Sequence, residues 1–148
     1  MQFNGTSDAV TAGFVCDPSK GPFSVFAWVQ GGGPGQVILS QQAGANWLMA
    51  AAPQGSLRTE LKGVGRFGSP LASPSVIANG AWHRVGLVWD GKIRVLYVDD
   101  VEVARDTPSS LAASAGGLNI GAASNLAPGT FWSGLIDDVR IYNRAVKP

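Results

Sequence analysis

The chain has 148 residues and a net charge of +1 from 11 basic and 10 acidic residues, with 45% hydrophobic and 14% charged positions. A domain of that length buries enough surface to fold without disulfide or metal staples, and the composition excludes a disordered chain. With charges so evenly balanced and no basic run of five or more, nucleic-acid binding has no electrostatic footing.

The stretch "PFSVFAWVQ" alternates Phe23, Val25, Ala27 and Val29 against Ser24, Phe26 and Trp28. Apolar residues on both faces predict a strand covered on both sides. "GGGPG" (Gly31–Gly35) interrupts it, and "QVILSQ" and "NWLMAAA" follow as short strands. In "GSLRTEL", Leu57, Thr59 and Leu61 alternate with Arg58 and Glu60. The fourteen residues "KGVGRFGSPLASPS" lack periodicity and are expected to be the longest loop, hence a functional candidate. In "AWHRVGLVWDGKIRVLYVDDVEVARD" two apolar runs flank Asp90-Gly91, the signature of a two-residue hairpin turn. Asp99-Asp100 is expected to turn the chain again. "GGLNIGA" and "GTFWSGLIDDVRIYN" complete the series. Short strands with Gly/Pro punctuation and no amphipathic helix predict one all-β domain over residues 1–148, an antiparallel β-sandwich or jelly roll.

Cys16 is the single cysteine, so no internal disulfide is expected, which is neutral on compartment. The N-terminus lacks the basic and apolar regions of a signal peptide. No stretch reaches 18 apolar residues, so no membrane insertion by a helix is expected.

In order, "FNGTSDAV", "PFSVFAWV", "AWHRVGLVWDGKIRVLYVDD", "GGLNIGA" and "FWSGLIDDVRIYNRAV" resemble the laminin-G-like domain of the concanavalin A-like lectin/glucanase superfamily, from Phe3 to Val146. The resemblance implies two stacked antiparallel sheets, with the first and last strands adjacent. It implies an extracellular setting and a mostly non-catalytic domain that binds glycans or proteins, often with one structural Ca²⁺. Asp100 departs from the pattern, which has Gly there; Asp tolerates the left-handed backbone better than most residues.

Catalysis finds little to work with. The family's glucanases carry E-x-D-x-x-E on one strand, whereas Glu60 and Glu102 are the only glutamates here. Asp137 and Asp138 are strand neighbours and should face opposite ways. His83 is the sole histidine and reads as a strand-end residue; one His and one Cys do not make a zinc site. No enzyme is expected.

Calcium remains. By strand parity Leu135, Asp137, Val139 and Ile141 share one face, while Ile136, Asp138, Arg140 and Tyr142 share the other. With Val139 and Ile141 facing the core, Asp137 stands at the core edge and wants a cation or backbone donors. The resemblance implies that this aspartate holds Ca²⁺ with carbonyls of the N-terminal segment, here near Asn4 or Gly5, with Asp8 a further candidate. Asp138 is expected outside, paired with Arg140.

For ligand recognition, Trp28, Trp82 and Trp89 sit in apolar strands and are expected in the core. Asn46, Trp47, Arg66, Phe67, Asn125 and Trp132 follow turns or loops and form the candidate set. A glycan is the expected ligand class. The rival reading is a structural or protein-interaction domain without sugar binding, with an extracellular protein ligand or a homodimer through sheet edges.

Overall fold

A computed structural model describes residues 1–65 and 69–148. It forms two six-stranded antiparallel sheets. Numbered in chain order, the first sheet runs β1 (Gln2–Asn4), β14 (Ser133–Tyr142), β3 (Phe23–Gly31), β9 (His83–Trp89), β10 (Arg94–Val98), β11 (Val101–Asp106). The second runs β2 (Val10–Ala12), β13 (Ala115–Ile120), β4 (Val37–Ala43), β5 (Asn46–Ala51), β6 (Ser56–Thr59), β8 (Leu71–Val76). A short pair, β7 (Gly63–Val64) with β12 (Ser110–Leu111), stands apart. The only helix among the described residues is a single 3₁₀ turn, Pro18–Lys20. The expected jelly-roll sandwich is what the chain adopts.

The core lies between the sheets. The alternation read in β3 is real: Phe23, Val25, Ala27 and Val29 join one cluster with Ile38, Leu48, Ala50 and Leu57 of the second sheet. Each fully buried Val, Leu, Ile or Phe among them contributes roughly 1.5–3 kcal/mol relative to exposure.

The ends of the chain meet, as the resemblance implied, with a shifted register. Gln2, Phe3 and Asn4 pair with Leu135, Gly134 and Ser133, at the head of β14. The chain then leaves the first sheet, and β2 joins the second beside β13. Asn4 makes that corner: its Oδ1 accepts the backbone N–H groups of Thr6, Ser7 and Asp8 at 2.9, 2.9 and 3.1 Å.

Two expectations are corrected. Overlapping the segment expected to be irregular, Leu71–Val76 is a strand at the edge of the second sheet. An edge position explains why Pro74, which lacks an N–H, is tolerated there. The Asp90-Gly91 connection is four residues long, from Asp90 to Ile93, because the Asp90 carboxylate accepts the N–H groups of Lys92 and Ile93 at 2.8 and 2.7 Å. The true two-residue hairpin turn is Asp99-Asp100, both left-handed at φ 53° and 65°.

Candidate functional site: an aromatic face on the first sheet

The adjacent aspartates of β14 resolve through a bulge. Asp137 pairs with Trp28 and Arg140 with Phe26, so Asp138 and Val139 of β14 stand opposite Ala27 alone. Asp138 absorbs the extra residue at φ 47°. Side-chain parity therefore shifts by one within the strand. Ile136 is fully buried, Val139 and Ile141 also pack on the core, and Asp137 and Asp138 are both exposed. The expectation that Asp137 stands at the core edge is thus overturned, because it assumed unbroken alternation. Asp137 Oδ1 accepts the N–H of Asp138 at 2.8 Å, and Arg140 Nε donates to Asp138 Oδ1 at 2.8 Å.

The calcium set does not converge. Asn4 lies opposite Ser133, four residues along β14 from Asp137, about 13 Å at the rise of a strand. Asn4 Oδ1 is already occupied by three N–H donors, and Asp8 Oδ2 accepts the N–H of Asn4 at 3.0 Å. Gly5 donates its N–H to the Trp132 carbonyl at the same corner. Asn4, Gly5 and Asp8 are a capped turn in one place and Asp137 is elsewhere. They do not fit one cation.

The loop set also separates. Trp47 and Trp132 are fully buried and belong to the core, so neither offers a face to a ligand. The Trp47 ring packs against Phe23 at 5.3 Å. Trp132 lies against the backbone of Gly32, where a Cβ would sit 2.3 Å from its ring. Asn46 is half-buried and spans two segments, donating from Nδ2 to Glu60 Oε2 at 2.7 Å and accepting the N–H of Ser124 at 3.2 Å. Asn125 is exposed and caps Ala127. Arg66 and Phe67 lie outside the described residues.

Exposed aromatic surface occurs instead where the core was expected. Trp28 is 39% and Trp82 is 43% exposed; Trp89 is buried as read. Because Val25, Ala27 and Val29 point inward, Ser24, Phe26 and Trp28 point out of the sandwich. Trp28 stands between Asp137 on β14 and Arg84 on β9, its register partners. Directly opposed positions hold their Cβ atoms about 4.5–5.5 Å apart. Trp82 immediately precedes β9, two residues before Arg84. Gln30 reaches toward the same segment, donating from Nε2 to the Gly80 carbonyl at 3.1 Å.

The surroundings hold this end of the face in place. His83 Nδ1 lies 2.8 Å from Asp99 Oδ2 and its Nε2 3.0 Å from Asn79 Oδ1. Asp99 Oδ1 also accepts the N–H of Arg84 at 2.9 Å. Arg84 binds Asp100 and lies 4.9 Å over the Phe26 ring. At the other end the C-terminal tail folds over the sheet: Ser24 Oγ donates to the Arg144 carbonyl at 2.7 Å and accepts the N–H of Val146 at 2.8 Å. The tail leaves the Trp28 end open. Two indole faces beside a carboxylate, a guanidinium and an amide can stack on the apolar side of a sugar ring and bond its hydroxyls.

Two six-stranded antiparallel sheets closed by paired first and last strands define a lectin-like sandwich. The family described as the concanavalin A-like lectin/glucanases superfamily matches residues 4–148, and the chain belongs to it. No curated protein matches the sequence. Among solved structures, the chain is similar to a putative carbohydrate binding protein from Bacteroides ovatus, with TM-score 0.74, 14% identity, 97% of this chain and 44% of that one. It is also similar to the native heptameric SAP-like pentraxin from Limulus polyphemus, with TM-score 0.65, 19% identity and coverage of 98% and 76%. A third is domain 4 of an extracellular arabinanase from Geobacillus stearothermophilus in complex with arabinotriose, with TM-score 0.52, 18% identity and coverage of 98% and 82%. The chain spans less than half of the Bacteroides protein, and identities this low speak to fold alone.

Proposed function

We propose that this chain is a non-catalytic carbohydrate-recognition domain that seats a glycan on the outer face of its first sheet. One observation carries the reading: Trp28 and Trp82 stay 39% and 43% exposed while the other three tryptophans are buried. Indole surface left in water is unfavourable unless a ligand covers it. Asp137, Gln30 and Arg84 supply acceptors and donors around it. Two of the similar folds carry names that include carbohydrate binding or a bound arabinose oligomer, which supports the ligand class.

Hydrolysis of a glycosidic bond normally needs two carboxyl groups flanking the scissile bond. On this face and among the described residues, Asp137 is outside an ion pair, whereas Asp100 binds Arg84 and Asp138 binds Arg140. That distribution favours holding a sugar over cutting it.

The test is a glycan array followed by titration of the best oligosaccharide against Trp28→Ala and Trp82→Ala. Each substitution is expected to weaken binding by about tenfold, the effect of losing one aromatic anchor. Circular dichroism should stay unchanged, because both side chains are exposed. A blank array, or tight binding that survives both substitutions, removes the proposal.

A second reading rests on a different edge. β2 closes one side of the second sheet, and Val10, Phe14 and Val15 around it are 40%, 62% and 47% exposed. Such an edge suits pairing with another chain, including a second copy. Sedimentation across a concentration series tests it: a mass that stays monomeric throughout counts against a homodimer.

A further inference from the structure

The second sheet carries a separate polar cavity that the aromatic face does not involve. It has a volume of about 470 Å³ and is bordered by Asn46, Arg58, Glu60, Lys62 and Ser124 beside the Gly44-Ala45 turn. A volume in this range admits a ligand of sugar size. A smaller depression of about 270 Å³ continues from it past Glu60 and Lys62 toward Ser114.

The sequence builds this place by alternation. Leu57 and Thr59 of β6 are fully buried, so Arg58 between them points away from the core. Its register partner Met49 belongs to a small apolar cluster with Val37 and Ala123, on which the chain leading to Ser124 lies. Asn46 joins the two walls by bonding both Glu60 and the Ser124 N–H.

The charges are unbalanced. Glu60 Oε1 is 4.0 Å from the Arg58 guanidinium, a loose contact, and its other oxygen is taken by Asn46. Arg58 Nε is shielded from water and has no hydrogen-bond partner among the described residues. The Arg58 side chain is nonetheless 34% exposed, so a ligand reaches it through the rest of the side chain and not through Nε. With Lys62 on the same wall, two cations face one carboxylate among the described residues.

We propose that this cavity binds a singly charged oxyanion carried on a hydroxylated, sugar-sized body. Arg58 and Lys62 take the anionic group, in the fork geometry that guanidinium offers a carboxylate. Glu60 accepts a hydroxyl and repels a second negative charge, so a monoanion is preferred to a dianion. A sugar carboxylate and a sugar sulfate monoester share this chemistry. The site is independent of the Trp28 face and stands or falls without it.

The test is ¹⁵N–¹H NMR titration of the whole chain at low salt with sodium glucuronate, glucose 6-sulfate, glucose 6-phosphate and glucose. Saturable shifts are expected at the Asn46, Lys62 and Ser124 amides with glucuronate or the sulfate, and none there with glucose. Whichever of the two binds more tightly identifies the source of the oxyanion. Arg58→Gln is expected to weaken binding by about tenfold or more. Glu60→Gln keeps the hydrogen bond to Asn46 and is expected to tighten binding about threefold and to admit the phosphate dianion. Trp28→Ala should leave these shifts in place. Absence of shifts at these amides, equal shifts with glucose, or an unchanged response in both the Arg58 and Glu60 variants overturns the proposal.

Discussion

Gly86 is glycine because Phe26 occupies the space a side chain would need. A Cβ there would lie 2.5 Å from Cδ1 and Cε1 of the Phe26 ring. That ring faces away from the core yet is 2% exposed, since Arg84 lies over it and Tyr142 meets it edge-on at 6.5 Å. Gly86→Ala is expected to destabilise the fold by about 1–3 kcal/mol through overpacking, read by urea unfolding. It should also disturb Arg84 and hence the Trp28 face. The same strand shows how far residue-level reading reaches. The run Phe23, Val25, Ala27, Val29 implied that Trp28 faces the other way, and that parity was the signal for its exposure. An apolar strand context suggested burial instead. Conversely, Trp47 and Trp132 follow turns and looked accessible, but the rings bury against Phe23 and Gly32, contacts across long sequence separations.

Two turns and one bulge set the geometry of the first sheet. Asp99 does three things in its turn: it takes a left-handed backbone, accepts the N–H of Arg84, and meets His83 Nδ1 at 2.8 Å. Asp99→Ala removes both acceptors and puts a Cβ-bearing residue without a local hydrogen bond at φ 53°. A loss of about 1–3 kcal/mol is expected in chemical denaturation, with weaker ordering of the Asn79–Trp82 segment. In β14 the pairing of Asp138 with Arg140 was legible in the sequence. The bulge was not, because a bulge is defined by the partner strand. Only the pairing with Trp28 and Phe26 shows the extra residue.

At the scale of the whole molecule, three carboxyls among the described residues titrate below their ordinary range. The Ser19 backbone N–H and hydroxyl lower Asp17, the Ile93 N–H lowers Asp90, and the Arg105 guanidinium lowers Glu102. Each folded-state value lies under its unfolded one. The stability each contributes is therefore complete above the unfolded value, about 3.9 for Asp and 4.3 for Glu, and is lost as pH falls through the folded value. Tm is expected to be flat with respect to these groups from pH 7 to about 5 and to drop below about 4. In Asp17→Asn the acid-side drop should be shallower, because that variant has one carboxyl fewer to protonate.

The sequence by itself determined the class of fold: period-two alternation and glycine and proline punctuation suffice for an all-β sandwich, and the resemblance carried by the order of motifs implied that the ends pair. These signals are local, and each strand states its own inner and outer sides. The tertiary structure decided which outer sides stay open. Whether Trp28 meets water, Asp137 meets Asn4 or Arg58 meets an acid depends on which strand pairs with which and in what register. A shift of one residue reverses every side chain beyond it, so the sites emerge only once the sheets are assembled.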